Sequence, residues 1–262
     1  WFLLGRRRRS RSGLIELVHP WESGCDHSPR WDDLMVPALA GTTSDPFDLE
    51  LWVQRKGDLL ATVQRDAHGA PLANDEFAVG SVAFSAVVAH GAELLGHLAG
   101  DQLMLDAAAE LAWVLGERWD PERRTFVDDG PSAQGSGRIR TAEALLPVLV
   151  VHEPSIVAAV AAELTDDGAL GGRFGPAQVH RDEPTFRPRS YWRGPSWPQL
   201  DHLLVLGLAA SGSAVGQVAA EQVAAASRAG AWCSGWAEYW DPDDGTAGGA
   251  LPQSWTTLAT LW

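Results

Sequence analysis

Residues 101–115 read Asp-Gln-Leu-Met-Leu-Asp-Ala-Ala-Ala-Glu-Leu-Ala-Trp-Val-Leu. Met104, Ala108, Leu111 and Leu115 recur at steps of four, three and four, which puts them on one face of an α-helix. Gln102, Asp106 and Glu110 fall on the opposite face, and Asp101 stands where an N-cap accepts backbone amides. Just upstream, residues 79–99 are apolar almost all round and lack strand punctuation, which predicts a deeply buried helix.

Outward from this pair the same period recurs. Thr43, Ser44 and Asp45 offer caps before Pro46, for a helix running to about Arg65. Residues 66–75, with Gly69 and Pro71, read as a turn. Residues 140–151 and 154–164 predict a helix pair broken at Pro154. Ser196 is placed to cap a helix with Pro198 in its first turn, and Ser213 another with Val215, Ala219, Val223 and Ala226 on one face. Ser254 opens a last helix. No segment alternates like a strand, so the expected class is all-α. Long loops between helix pairs suggest an α-helical toroid, because a simple bundle uses shorter connections.

The 262 residues suffice for one large domain, and 45% hydrophobic with 21% charged residues fits a soluble globular protein. A formal charge of −14 argues against nucleic acid or an acidic membrane surface as partner and suits a small neutral or mildly acidic sugar. Cys25 and Cys233 lie far apart, which excludes a cysteine-based zinc site and favours reduced thiols in a cytoplasmic protein over a disulfide. No uninterrupted apolar run reaches the roughly 18 residues of a membrane span. No GxSxG, P-loop or GxGxxG motif occurs, His152-Glu153 lacks the second histidine of a zinc helix, and no metal or cofactor is expected. Residues 1–12 form a basic leader, expected to be disordered.

Three loops concentrate the unusual residues. The first is Trp-Glu-Ser-Gly-Cys-Asp-His-Ser-Pro-Arg-Trp-Asp at 21–32. The second is Tyr-Trp-Arg-Gly-Pro-Ser-Trp-Pro at 191–198. The third is Trp-Cys-Ser-Gly-Trp-Ala-Glu-Tyr-Trp-Asp-Pro-Asp-Asp-Gly at 232–245. Eight of the 13 tryptophans lie in these loops or at Trp255, beside carboxylates, where indole faces suit the C–H faces of sugar rings. Packing at the ends of a helical toroid is the plainer alternative. Glycoside hydrolysis requires one carboxyl group to protonate the leaving oxygen and a second to activate water or attack. Asp26 and Glu238 are the candidate pair, and apolar neighbours favour a raised pKa at each without saying which one rises. Glu22 competes with Asp26. Asp241, Asp243 and Asp244 suit a turn, Asp32 and Asp33 a helix cap, and Arg193 either substrate hydroxyls or a structural ion pair.

These loops resemble the glycoside hydrolases with an (α/α)6 barrel, above all family 63 and its mannosylglycerate hydrolase-like relatives. The His-Pro-Trp-Glu-Ser-Gly start at 19–24, the Tyr-Trp-Arg-Gly-Pro segment and the Ser-Trp-Thr ending at 254–256 occur in the family's order. The resemblance implies an inverting hydrolase of α-glycosides, without metal or cofactor, with Asp26 as general acid and Glu238 as general base. It implies that Trp21, Trp31, Tyr191, Trp192, Arg193 and Trp197 line the sugar subsite; Glu22, Gly194 and Trp255 beside them are further candidate binders. His27 replaces the family's usual asparagine, and residues 248–251 depart from its pattern. It also implies a partial (α/α)6 toroid in which residues 13–262 are the C-terminal two-thirds of the catalytic domain and about the first four helices are missing. A non-catalytic sugar-binding remnant and a helical interaction module are the competing functions.

Overall fold

The computed structural model describes residues 2–3, 8–39 and 48–262. Two compact units emerge: residues 1–118 with 127–139, and residues 119–126 with 140–262.

Among the described residues the first unit holds four α-helices: α1 (Asp32–Leu39), α2 (Leu49–Thr62), α3 (Val82–Ala99) and α4 (Gln102–Gly116). The cap expected at residues 43–46 lies outside the described residues. Asp48 caps α2, accepting the Glu50 and Leu51 amides. α3 and α4 form a hairpin turned by Gly100 at φ 65°, with Asp101 capping α4 through the Met104 amide as its position predicts. Ala108, Leu111 and Leu115 are buried, whereas Gln102, Asp106 and Glu110 are exposed.

The expectation of burial all round α3 does not hold. Ser85, Ala86, Ala89 and Ala92 are buried, but Leu94, Leu95 and Leu98 face outward, Leu98 at 84% exposure. α3 has the length and mean hydropathy, 1.4, of a membrane-crossing helix. It also carries Glu93, His90 and His97 and packs on α4.

Among the described residues strand pairing is short but present, in four antiparallel two-stranded ladders. In the first unit β1 (Glu16–Leu17) pairs with β4 (Val79–Gly80), and β2 (Gln64–Arg65) with β3 (Pro71–Ala73) around the turn at Gly69. The β1–β4 ladder delivers Leu17 and Val79 to a core of Trp31, Met35, Trp52, Leu59 and Phe77. Strands of two or three residues have no run long enough to show alternation, so the chain is helix-dominated rather than strictly all-α.

Within the basic leader, residues 8–12 contact the first unit. Arg8 bonds Glu16 at 2.8 Å, Arg9 bridges Ile15, and the Ser12 amide donates to Asp129 at 2.7 Å. Glu16 and Asp75 both pair with Arg8, and Arg9 donates to Gly13 O at 3.0 Å.

The second unit holds α5 (Pro154–Thr165), α6 (Pro198–Ala210) and α7 (Ala214–Cys233), with β5 (Trp119–Asp120) paired to β6 (Thr125–Phe126) and β7 (Tyr239–Trp240) to β8 (Ala247–Gly248). The segment before α5 is a 3₁₀ helix, Glu143–Leu149, because Pro147 inside it has no N–H to give an α-helical bond. Ser213 caps α7 through the Gly216 amide, and Ala219 and Val223 are buried, but Val215 is exposed. Ser254–Thr260 also closes as a 3₁₀ helix.

Candidate active site

Asp26 occupies the corner of a turn between two short 3₁₀ helices. Pro20–Ser23 starts from His19 and stops at Gly24, whose φ of 72° favours glycine. Pro29–Trp31 starts from Ser28, whose hydroxyl accepts the Arg30 amide. Between them the Ser28 amide donates to Cys25 O at 3.0 Å, leaving Asp26 and His27 at the bend.

Several buried groups fix this bend. Trp31 Nε1 donates to Cys25 O at 2.8 Å, and the His27 ring lies 4.2 Å from that of Trp52. Arg30 is ion-paired to Asp128 at 2.7 Å, both side chains 1% exposed, and its Nη1 donates to Ile139 O. Asp33 accepts the Ser136 amide at 2.8 Å instead of capping α1, and Ser136 Oγ donates to Arg30 O.

The Asp26 carboxylate, 17% exposed, has a partner that motif reading missed. Lys56, buried on α2, places its Nζ on Asp26 Oδ2. A signal was available: Trp52, Lys56 and Leu59 share the buried face of α2, so a lysine stands in an apolar stripe. The backbone oxygen of Lys56 accepts His19 Nε2–H at 2.8 Å, while His19 Nδ1 accepts the Trp21 amide. These two bonds define a neutral imidazole. Burial lowers its pKa further, against the Lys56 backbone bond and the Glu22 charge.

The predicted residues of this loop divide. Trp21 is half exposed, with its ring 4.6 Å from that of His19, and offers a free face. Glu22 Oε2 accepts the Val18 amide at 2.8 Å and so braces the loop. Trp31 is a core residue, 2% exposed. Its position beside the acid made it look like a sugar platform, but its ring packs toward Met35 and Phe77.

In the second unit, Tyr191, Trp192 and Trp197 converge with Tyr239. The indoles of Trp192 and Trp197 stack at 3.6 Å and 6°. Tyr191 presents an edge to Trp197 at 5.4 Å, and Tyr239 lies 4.6 Å from the same ring. The loop closes this tightly because Gly194 has no side chain: a Cβ there would overlap Arg187 O. The Gln178 amide donates to Gly194 O at 3.1 Å, and Arg193 is fully buried. Among the described residues no acceptor meets the buried Nε1 of Trp192 or of Trp197. Two buried indole donors in an aromatic cluster are unusual unless a ligand or water supplies the acceptor.

Glu238 precedes Tyr239 at the start of the β7–β8 hairpin. Its Oε2 accepts the Ala250 amide at 2.8 Å, and its own amide donates to Ala250 O. Trp255 Nε1 donates to Glu238 O at 3.4 Å, and Thr256 Oγ1 to Ala237 O at 2.7 Å, so the Ser-Trp-Thr motif clips the backbone on either side of this peptide. Burial raises the Tyr239 hydroxyl pKa, and the Glu238 charge adds to the rise. In the following turn Asp241 Oδ1 accepts the Asp243 and Asp244 amides, as a turn aspartate does. Asp241 and Asp244 also hold Arg189, and Asp243 holds Arg181. Cys25 is a buried thiol and Cys233 an exposed one.

Several known proteins are similar. A glucosylglycerate hydrolase of Mycolicibacterium hassiacum is 28% identical over 97% of this chain and 63% of its own length. A mannosylglycerate hydrolase of Thermus thermophilus is 27% identical over 96% of this chain and 65% of its own. The chain thus spans somewhat under two-thirds of the curated relatives it matches. The crystal structure of a GH63 mannosylglycerate hydrolase from Thermus thermophilus in complex with glucose shares the fold, with a TM-score of 0.78, 24% identity and coverage of 96% of this chain and 64% of that one. The family model for the mannosylglycerate hydrolase MGH1-like glycoside hydrolase domain matches residues 1–256. With that match across nearly its whole length, the chain belongs to the MGH1-like glycoside hydrolase domain family.

Proposed function

We propose that this chain carries the acid- and base-bearing loops of an inverting α-glycosidase, and that its helices form part of an (α/α)6 toroid. Asp26 is the general acid and Glu238 the general base. Lys56 holds Asp26 Oδ2, so Oδ1 is the oxygen that protonates the leaving alcohol. The Ala250 amide holds Glu238 Oε2, so Oε1 takes the proton of the attacking water. The substrate is a small α-glucoside or α-mannoside, with the glycerate glycosides that the relatives are named for as first choice.

The observation that carries this reading is the aromatic cluster beside Glu238. The stacked Trp192 and Trp197 are buried, at 3% and 1% exposure, and build the floor of the cluster, while the half-buried Tyr191 and Tyr239 packed on Trp197 offer ring surface to a sugar. Of the other predicted binders, Trp21 and Trp255 offer exposed indole surface, and Arg193 and Gly194 shape the loop beneath the stack. Trp31 and Glu22 support the acid loop from within.

The test compares Asp26→Asn and Glu238→Gln on glucosylglycerate, mannosylglycerate and aryl α-glycosides. Each variant should lose roughly 10²–10⁴-fold in kcat, the usual worth of a general acid or base. An activated aryl leaving group should rescue Asp26→Asn alone. Proton NMR in the first minutes should show the β-anomer first. An α-product first would recast Glu238 as a nucleophile, since retention brings the carboxyl groups to about 5–5.5 Å instead of about 6.5–9.5 Å. Sugar binding without turnover by any form would replace the enzyme reading with that of a binding remnant.

A further inference from the structure

Asp201 lies one turn into α6 and is 2% exposed. Among the described residues it has no ion-pair partner, which is rare for a carboxyl group at such depth. Its Oδ2 accepts the hydroxyl of Ser196 at 3.0 Å. Burial pushes its pKa up to about 7, opposed by the Ser227 and Ser196 hydroxyls. A leucine would fill the same space without that desolvation cost, so packing alone gives no reason for the acid.

Ser196 explains what the acid holds. By sequence its hydroxyl belongs on an amide of α6, but that helix has no side-chain cap. Ser196 turns to Asp201 instead, and its backbone makes both bonds of an antiparallel bridge to Trp240. Ser196 N donates to Trp240 O at 2.8 Å, and Trp240 N to Ser196 O at 3.3 Å. Trp197, half of the stacked indole pair, follows Ser196. Trp240 follows Tyr239 and Glu238. Gly175, at φ 118°, presses its backbone onto the pair; a Cβ there would lie 3.1 Å from Asp201 Oδ2 and overlap Ser196 Oγ. The carboxyl group is therefore the fixed point to which the tryptophan loop and β7, the strand that follows Glu238, are both referred.

We propose that Asp201 is a positioning residue that acts through Ser196 to set the Trp192–Trp197 stack in register with β7, the strand that follows Glu238. Its predicted effect on turnover rests on the glycosidase reading; its effect on the stack does not.

The test uses Asp201→Asn, Asp201→Leu and Ser196→Ala in the intact protein, with two readouts. One is the circular dichroism couplet of the stacked indoles. The other is kcat and KM on glucosylglycerate and 4-nitrophenyl α-mannoside. Asn keeps an oxygen acceptor for Ser196, so Asp201→Asn should retain the couplet and stay within about twofold of the parent in both constants. Asp201→Leu and Ser196→Ala should weaken the couplet, raise KM and lower kcat by roughly 10–100-fold, the scale of an ångström-sized misplacement. If Asp201→Leu fails to fold, Ser196→Ala carries the comparison. An unchanged couplet and unchanged constants in folded Asp201→Leu or in Ser196→Ala would overturn the proposal. So would damage from Asp201→Asn equal to that from Asp201→Leu. If the parent turns over no glycoside, the glycosidase reading fails while the couplet still decides the role of Asp201.

Discussion

Arg30→Met tests whether the loop carrying Asp26 is anchored by charge. Arg30 Nε and Nη2 reach Asp128 Oδ2 at 2.8 and 2.7 Å, and Nη1 donates to Ile139 O at 2.7 Å. Asp128 Oδ1 accepts the Val82 amide at 2.9 Å. Burial pushes the Asp128 carboxyl pKa up, while first Arg30 and then the Val82 amide pull it down. Methionine preserves much of the apolar stem but leaves a carboxyl group in a dry interior with one backbone donor. Breaking a buried pair from one side costs roughly 3–5 kcal/mol, and the lost bond to Ile139 adds about 1 kcal/mol. Whole domains are stable by only about 5–15 kcal/mol, so the variant should sit close to unfolding. Urea titration followed by tryptophan fluorescence measures the loss. Adding Asp128→Asn removes the stranded charge and keeps an acceptor for Val82, and should return at least about 1 kcal/mol. A loss below about 1 kcal/mol, or a double variant no more stable than the single one, would refute the reasoning.

Asp201→Asn should also change how stability depends on pH. A folded-state pKa of about 7, raised from 3.8, contributes stability that is complete below 3.8 and is lost as pH rises through about 7. The wild type should therefore lose on the order of 4 kcal/mol relative to the Asn variant between pH 4 and pH 8; parallel urea midpoints across that range would contradict it. Gly230→Ala would drive a Cβ into the Trp240 indole, costing about 1–3 kcal/mol by overpacking. Calorimetry would show this as a lowered Tm, and an unchanged Tm would mean that β7 yields freely. Leu94→Gln with Leu98→Gln changes outward-facing positions of α3, so self-association by light scattering should fall while the urea midpoint stays within about 0.5 kcal/mol of the parent's stability.

The helices were largely legible because their signals are local. The period at Met104–Leu115 and the caps at Asp101 and Ser213 appear where expected. Failures came where a distant partner overrode a local rule. Ser196 gave its hydroxyl to Asp201, and Asp33 took the Ser136 amide. At the candidate site, the loop tryptophans stood out by composition, but composition does not separate Trp31, which faces the core, from Trp197, which builds the stack. Lys56 carried a readable anomaly in its place among apolar positions. Its pairing with Asp26, 30 positions earlier, has no local signature.

The closeness of α6, α7 and their neighbours bears on how this lineage can change. A Cβ at Gly207 would lie 2.7 Å from Leu149 N, and one at Gly216 would lie 2.8 Å from Leu208 O. Both obstacles are backbone, which no rotamer change can move. Ala219, Ala220, Ala224 and Ala231 are buried along α7, whereas Val215 and Val218 face outward. Descendants are therefore free to wander at 215 and 218 but held to small residues, Val223 apart, along the inner face of α7. Enlarging one inner position would require a matching reduction on the facing segment in the same step. Such paired steps are rare, so the spacing between these helices should be inherited more faithfully than the residues on their outer surface.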